Sequence, residues 1–178
     1  MRTRLLTGAL VAALVTTGVA ACSSDSGSDE SATTSSTRAT APATTSGTEN
    51  LPEELKVKPT PQTAAGSAAP AELQKIDIVE GTGAEAIAGD QVSVNYVGVL
   101  LSDGSEFDAS WNRGQTFTFT LGAGQVIEGW DEGVAGMKVG GRRELVIPPD
   151  MGYGANGSPP VIPPNATLVF VVDLVSVN

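Results

Sequence analysis

The chain has 178 residues, with no histidine and a single cysteine, Cys22. The lack of histidine removes the commonest general base, the usual metal ligand and the side chain that titrates near neutral pH. One cysteine cannot form a disulfide within the chain. Basic residues are also scarce, because 10 Lys and Arg stand against 20 Asp and Glu, for a formal net charge of -10. This balance argues against nucleic acid as a partner and against electrostatic binding to an anionic membrane surface.

Aromatic residues are absent from the first 95 positions, and all of them lie between Tyr96 and Phe170. Aromatic side chains supply much of the apolar area that a small core or pocket can bury. The sequence therefore predicts one compact domain in the C-terminal half of the chain. Whatever this protein binds is expected to bind there.

The N-terminus has the features of an export signal. Two arginines precede an apolar run over residues 5–21, whose length of about 17 residues is at the lower limit for a membrane span. The run ends in Val19-Ala20-Ala21-Cys22, which resembles the bacterial lipobox, where the cysteine is lipidated after cleavage. We predict a lipoprotein signal peptide over residues 1–21 and an extracytoplasmic chain anchored to the cell membrane by Cys22. A plain signal peptide and an uncleaved anchor are the alternatives.

Residues 22–71 are predicted to be a disordered tether. Residues 23–47 are almost wholly Ser, Thr, Ala, Gly and Asp, so they bury too little apolar surface to offset the entropy of ordering. The mildly apolar stretch from 50 to 57 could form a turn of helix or pack as an arm, and three prolines after it break regular structure. The Thr clusters leave open an O-glycosylated wall spacer.

From residue 72 onward the sequence has the alternation and turn signals of strands. Strands are predicted over 73–79, 92–100, 117–119, 142–147 and 168–175, with one short helix over 128–137 and a Gly/Pro loop over 152–164. This pattern predicts an α+β domain with an antiparallel sheet over residues 72–178. Taken alone, Arg142 and Arg143 are typical of a solvated strand end, and Asp131 and Glu132 of residues that favour a helix dipole.

Several spaced blocks carry a more specific signal: Val94-Asn95-Tyr96-Val97-Gly98, Asp103-Gly104-Ser105-Glu106-Phe107-Asp108, Phe117-Thr118-Phe119, Val126-Ile127-Glu128-Gly129-Trp130-Asp131-Glu132-Gly133, Tyr153-Gly154 and residues 162–170. Together they resemble the FK506-binding-protein (FKBP) type of peptidyl-prolyl isomerase over residues 72–178. The resemblance implies a twisted antiparallel sheet wrapped around one short helix, with a substrate pocket between them. It also implies no cofactor or metal, proline-containing polypeptides as substrates, and FK506-like or rapamycin-like macrolides as further ligands to test.

The resemblance also assigns pocket residues one by one. It implies catalytic roles for Tyr96, Phe107, Asp108, Trp130, Tyr153 and Phe170, and substrate-binding roles for Phe117, Val126, Ile127, Val161 and Ile162. Trp130 is expected under the proline ring, and the Ile127 N–H and the Tyr153 hydroxyl are expected to donate to substrate carbonyls. Arg113 is expected to pair with Asp108, and Phe119 to be core behind the pocket. Without the resemblance, aromatic residues in this pattern would be assigned to the core.

Three features depart from the pattern of the family. Ser158 stands where many members carry a histidine, and Pro159-Pro160 follows it, so the loop is expected to be stiffer and the choice of substrate altered. Asn95 stands at another common histidine position, where little effect is expected. Trp111 replaces a more polar residue and is expected to add an aromatic contact near the pocket entrance.

The predicted function is the cis-trans isomerisation of X-Pro bonds in secreted or cell-envelope proteins, by a monomer. This reaction twists a peptide bond and breaks no covalent bond, so it needs no nucleophile, base or metal, and a chain without histidine can perform it. The alternative is a non-catalytic chaperone or peptide-docking module of the same fold. An extracellular solute-binding lipoprotein would fit the anchor but not the small size.

Overall fold

The computed structural model describes residues 51–178. The predicted signal peptide, Cys22 and the Ser/Thr-rich segment at 23–47 lie outside the described residues. In the part of the chain that is described, no helix is long and apolar enough to cross a membrane. The lipid anchor and the upstream tether therefore stay predictions from the sequence.

Six strands form one antiparallel sheet, which confirms the predicted architecture. In chain order they are β1 (Gln74–Val79), β2 (Gln91–Leu100), β3 (Glu106–Ala109), β4 (Phe117–Thr120), β5 (Arg142–Ile147) and β6 (Leu168–Val177). The order across the sheet is β1-β5-β6-β2-β3, and β4 pairs with the first half of β2. The long strands β2 and β6 are therefore central, and their side chains project from both faces of the sheet.

One short helix, α1 (Glu128–Val134), packs against β5 on the inner face of the sheet. Two glycines permit this close approach. A Cβ at Gly129 would stand 2.5 Å from the Ile147 side chain, and one at Gly133 would stand 2.6 Å from the Leu145 side chain. Helix and sheet enclose the main core, whose buried residues include Val92, Val94, Leu121, Val134, Leu145, Ile147, Leu168, Val172 and Leu174.

The helix is shorter than the sequence predicts. The expected helix runs to residue 137, but α1 ends at Val134 because Ala135 leaves the helical conformation. Gly136 follows with a φ of +78°, a value that glycine adopts without a steric penalty. The turn directs the chain toward β5, the strand against which the helix packs to enclose the core.

Residues 51–67, called the N-terminal arm below, pack against the outer face of the sheet. A 3-10 turn at Glu53–Lys56 buries Leu55, and Pro59 is buried further along. The Gly66 N–H donates to the Leu101 carbonyl at 2.6 Å. The prediction of a disordered tether through residue 71 is wrong over the arm, because the arm buries these side chains and is hydrogen-bonded to the folded domain. The outer face also carries a second apolar cluster. That cluster comprises Val97, Val99, Leu101, Ala109, Val146 and Val169, with Trp111 against it.

The prediction of a solvated strand end at Arg142 and Arg143 is wrong, because both side chains have fixed partners and Arg142 is buried on the outer face. Arg142 donates to both carboxylate oxygens of Asp173, at 2.5 and 2.8 Å, and Asp173 is 0% exposed. Burial raises the pKa of Asp173, although Arg142 opposes the shift. Arg143 pairs with Asp77 and donates to the carbonyls that end α1. The cause is the position of β5 between β1 and β6, which leaves its first residues covered.

Candidate active site

A cavity of about 430 Å³ opens between α1 and the inner face of the sheet. It is called the prolyl pocket below, after the substrate that the resemblance implies. The structure brings to it all the pocket residues that the sequence predicts: Tyr96, Phe107, Asp108, Phe117, Val126, Ile127, Trp130, Tyr153, Val161, Ile162 and Phe170. Gln125, Ser158 and Pro159 also line it. Strand, helix and loop residues that lie far apart in the sequence thus meet at one place.

Trp130 forms the centre of the aromatic box. It is 4% exposed, because the sheet packs over α1, and its indole N–H has no hydrogen-bond partner among the described residues. Tyr96 and Phe170 meet it nearly edge to face, with ring centroids 5.0 and 5.2 Å away and interplanar angles of 83° and 86°. Such pairs are favourable beyond the area they bury. The rings therefore hold one another in fixed orientations around the cavity.

A second wall depends on a glycine that the sequence reasoning did not single out. Phe107 on β3 and Phe170 on β6 meet edge to face at 5.4 Å, beside Gly98 of β2. A Cβ at Gly98 would lie 2.7 Å from the Phe170 ring and 2.8 Å from the Phe107 ring. Only glycine leaves room for both rings at this point. The signal was present in the block that ends at Gly98, but nothing in a single sequence separates a packing glycine from a turn glycine.

Phe117 and Phe119 occupy successive inward positions of β4 and have different roles. Phe119 is 3% exposed, does not line the cavity and packs against Trp130 at 5.7 Å. This confirms its prediction as core behind the pocket. Phe117 stacks on Phe119 at 5.7 Å and remains 37% exposed, so it forms the outer lip of the cavity.

A polar network borders the aromatic box. The Tyr96 hydroxyl donates to Asp108 at 2.5 Å and accepts from Arg113 at 2.7 Å, and Arg113 pairs with Asp108 as predicted. Burial, followed by the hydrogen bond to Asp108, raises the pKa of Tyr96 to about 12. Burial also opposes ionisation of Asp108, but the hydrogen bonds from Tyr96 and Arg113 prevail and lower the pKa of its carboxyl. Near neutral pH the edge of the pocket therefore carries a neutral phenol and an ionised carboxylate.

The loop before α1 brings a backbone donor to the pocket. Ile127 is the N-cap residue of α1, and its N–H has no backbone acceptor among the described residues. Asp131 fixes this loop, because its carboxylate accepts from the N–H groups of Gly122 and Gly124, both at 2.9 Å. Asp131 thus does more than favour a helix dipole. The Gln125 side chain also stabilises the loop, because its oxygen accepts a hydrogen bond from the Thr120 N–H at 3.0 Å.

The long loop after β5 supplies the opposite side of the cavity. Tyr153 is 41% exposed and Val161 is 53% exposed, whereas Ile162 is buried. Ser158 and Ile162 hold this part of the loop by two backbone hydrogen bonds of 2.8 and 2.9 Å. Exposed aromatic and aliphatic side chains on a tied loop are typical of a surface that contacts a ligand.

Sequence comparisons identify this arrangement. The family model described as FKBP-type peptidyl-prolyl cis-trans isomerase matches residues 83–175. The chain belongs to this family. An FK506-binding protein of Streptomyces anulatus is 60% identical over 113 residues, which cover 63% of this chain and 91% of that protein. A probable FK506-binding protein of Corynebacterium glutamicum is 53% identical over 108 residues, or 61% of this chain and 89% of that one. The chain is thus a peptidyl-prolyl cis-trans isomerase of the FKBP type.

Solved structures agree with the FKBP fold. The crystal structure of AtFKBP13 aligns with a TM-score of 0.56 and 39% identity, covering 62% of this chain and 96% of that chain. FkpA from Escherichia coli aligns with a TM-score of 0.55 and 45% identity, covering 60% of this chain and 48% of that chain. The six-stranded sheet and the single helix described above are the architecture common to these proteins.

One predicted residue of this FKBP domain lies elsewhere. Trp111 does not line the prolyl pocket but packs against the outer apolar cluster, so its prediction near the pocket entrance is wrong. After β3 the 3-10 turn at Ser110–Asn112 directs Trp111 to the outer face. The buried Ser110 hydroxyl fixes that turn by accepting from the Tyr96 N–H at 2.9 Å. Among residues 51–178, no three His, Cys, Asp or Glu side chains cluster to hold a metal ion.

Proposed function

We propose that the prolyl pocket binds the proline ring of an X-Pro segment against Trp130, between Tyr96 and Phe170. The observation that carries this proposal is an aromatic cavity with two donors at its rim, the Ile127 N–H and the Tyr153 hydroxyl. Each donor holds one substrate carbonyl. Phe107 and Asp108 surround the carbonyl of the bond that rotates, and Phe117, Val126, Val161 and Ile162 contact the flanking residues.

The proposed chemistry is the twisting of an imide bond in a dry pocket. The barrier of about 18–20 kcal/mol comes from amide resonance, and the uncatalysed step takes tens to hundreds of seconds. An acceleration of roughly 10⁴–10⁵-fold requires about 5.5–7 kcal/mol. Aromatic walls disfavour the planar, more dipolar imide, and two positioned hydrogen bonds hold the twisted chain. The residues of the pocket therefore have the chemical character that this reaction requires.

The two tryptophans provide a matched test of the pocket assignment. Trp130→Leu removes the proposed floor, whereas Trp111→Leu removes an indole of similar size on the outer face. Isomerisation of short X-Pro peptides by the full chain is measured for both variants, with the folded fraction determined by urea unfolding. We expect kcat/KM to fall at least about tenfold in W130L and to stay within about twofold in W111L. Equal effects of the two changes would contradict the assignment.

We also propose that the isomerase works outside the cytoplasm, anchored to the membrane by lipidated Cys22. The support is the sequence Val19-Ala20-Ala21-Cys22 after a short apolar run. The acyl chains of such an anchor bind the bilayer by about 0.8 kcal/mol per buried methylene. Metabolic labelling with a fatty-acid analogue tests this. Label and membrane retention are expected for the wild-type chain and lost in Cys22→Ala, and retention without label would contradict lipidation.

A macrolide ligand and a monomeric state complete the proposal. FK506 is expected to compete with X-Pro peptides for the prolyl pocket, as the names of the curated relatives suggest. A non-catalytic docking module is the alternative, and refolding of a proline-limited protein separates the two. An isomerase accelerates the slow phase at catalytic amounts, whereas a docking module acts only near stoichiometric amounts.

A further inference from the structure

The N-terminal arm is tied to the sheet through a buried carboxylate. Glu144 on β5 is 0% exposed, and its oxygens accept from the Gln62 N–H at 2.5 Å, the Thr63 N–H at 2.9 Å and the Thr63 hydroxyl at 2.5 Å. Arg142 adds a hydrogen bond to the Val57 carbonyl at 3.0 Å. A buried carboxyl group requires such partners, because a polar group without hydrogen bonds is unfavourable in the interior. The arm is therefore part of the folded domain.

Between these anchors, Lys58 reaches from the arm to Glu106 on β3 and to Asn112 in the turn that follows β3. Its ammonium lies 2.8 Å from Glu106 Oε2 and donates to the Asn112 side-chain oxygen at 2.9 Å. The Asn112 amide in turn donates to Glu106 Oε1 at 2.8 Å. The three side chains form a closed triad. The hydrogen bond from Lys58 also holds the pKa of the Glu106 carboxyl below its usual range.

The triad holds together the two ends of residues 106–113, the segment that carries one side of the pocket. Glu106 directly precedes Phe107 and Asp108, and Asn112 directly precedes Arg113. Arg113 pairs with Asp108 and donates to the Tyr96 hydroxyl. The start and the end of residues 106–113 are thus linked to each other twice. The triad links them outside the pocket, and the Asp108–Arg113 pair links them at its edge.

We propose that Lys58 is a positioning residue for the isomerase. Through Glu106 and Asn112 it holds the segment that presents Phe107, Asp108 and Arg113 to the substrate. The matched family region begins at residue 83, so this residue lies outside it. The catalytic unit of this chain then begins with the N-terminal arm rather than at residue 72. The inference rests on the pocket roles given under the proposed function.

The arm offers a matched pair of lysines for the test. Lys58→Met breaks the triad, whereas Lys56→Met breaks only a pair with the highly exposed Glu53. Kinetics of X-Pro peptide isomerisation are measured on the full chain. If the pocket wall is ordered in only a fraction of the molecules, substrate binds that fraction alone and KM rises. Bound substrate restores the ordered wall, so kcat does not change. We expect KM to rise about two- to fivefold in K58M, with kcat within about 1.5-fold, and both constants unchanged in K56M.

Three further variants test whether Lys58 acts through the triad. Lys58→Arg keeps the charge and the donors, and it is expected to restore KM. Glu106→Gln is expected to raise KM as K58M does, and the double variant K58M/E106Q to be no worse than the larger single effect. A lower kcat at unchanged KM, equal effects in K56M and K58M, no rescue by arginine, or additive effects in the double variant would each overturn the proposal. Equal losses in W130L and W111L would overturn the pocket assignment instead, so the two failures are distinguishable.

Discussion

The two faces of the sheet differ in the charged groups that they bury. On the inner face the walls are aromatic, and the Ile127 N–H and the indole N–H of Trp130 have no partner of their own in the described chain. On the outer face Arg142, Glu144 and Asp173 are buried, and each charge is met by an ion pair or by the N-terminal arm. The outer face also holds one donor without a partner among the described residues, the indole N–H of Trp111. What sets the inner face apart is that its open donors border a cavity, where we propose that a ligand meets them, whereas the partnered charged groups of the outer face stabilise the fold.

The same strands carry both faces because side chains alternate along each strand. In β6, Phe170, Val172 and Leu174 point to the core around the pocket, whereas Val169, Val171 and Asp173 point outward. Coverage on both sides explains why this strand is an almost unbroken apolar run. A change on the outer face away from the Lys58 triad should therefore alter stability more than catalysis, and a change on the inner face should alter catalysis directly.

The largest expected effect tests the outer face. Arg142→Met leaves Asp173 buried without its partner, and breaking such a pair costs about 3–5 kcal/mol of unfolding free energy. Urea denaturation measures that loss, while kcat/KM of the remaining folded protein should stay within about twofold. The double variant R142M/D173L should recover much of the stability. A loss below about 1 kcal/mol for R142M would show that the outer charges are dispensable.

The next effect tests the crowded wall of the inner face. Gly98→Ala places a methyl group against Phe107 and Phe170, and overpacking of this kind costs about 1–3 kcal/mol. Because the rings form the pocket wall, kcat/KM should fall as well as the urea midpoint. Gly98→Ala/Phe107→Leu should regain stability but not activity. Wild-type activity in G98A would mean that the wall is not tightly packed.

A smaller effect concerns a single donor at the rim. Tyr153→Phe removes one exposed hydroxyl and should leave the unfolding free energy within about 0.5 kcal/mol. Loss of one hydrogen bond to the substrate should lower kcat/KM by about two- to tenfold. Peptide kinetics and urea unfolding of the same preparation check both parts. Unchanged kinetics would remove Tyr153 from the proposed set of donors.

The smallest effect is an ionisation at the edge of the pocket. The pKa of Tyr96 is raised to about 12, so its protonated form is favoured in the folded state. The stability from this group is complete below the ordinary tyrosine pKa of about 10 and is lost as pH rises toward 12. In Y153F, Tyr96 is the sole tyrosine, and phenolate absorbance should show a midpoint near 12 when folded. A midpoint near 10 in the folded protein would contradict the buried network.

The sequence predicts the inner face well, because its residues fall in spaced blocks. Tyr96, Phe107, Asp108, Trp130 and the other predicted pocket residues all reach one cavity. The roles of these residues in catalysis stay a prediction until they are tested. The resemblance to the family also predicts the pair between Arg113 and Asp108, which the structure contains.

The outer face could not be predicted in the same way. Gln62 and Thr63 stand in a stretch rich in Pro and Thr, and nothing local indicates that Glu144 accepts hydrogen bonds from their backbone N–H groups and from the Thr63 hydroxyl. Arg142 has the appearance of a surface residue until the strand order places β5 between β1 and β6. These features depend on long-range pairing, which composition and periodicity do not reveal. The prediction for Trp111 is wrong for a local reason, because the three-residue turn at Ser110–Asn112 decides which face its side chain joins.

The two indole N–H groups allow one direct measurement of the central claim, that the inner face binds the X-Pro segment. The chain has two tryptophans, one on each face, so a spectrum of the ¹⁵N-labelled full chain shows two indole signals, assigned with Trp111→Phe. Titration with a short X-Pro peptide should shift the Trp130 indole and the Ile127 amide and leave the Trp111 indole in place. A shift of the Trp111 indole without that of Trp130 would contradict the account.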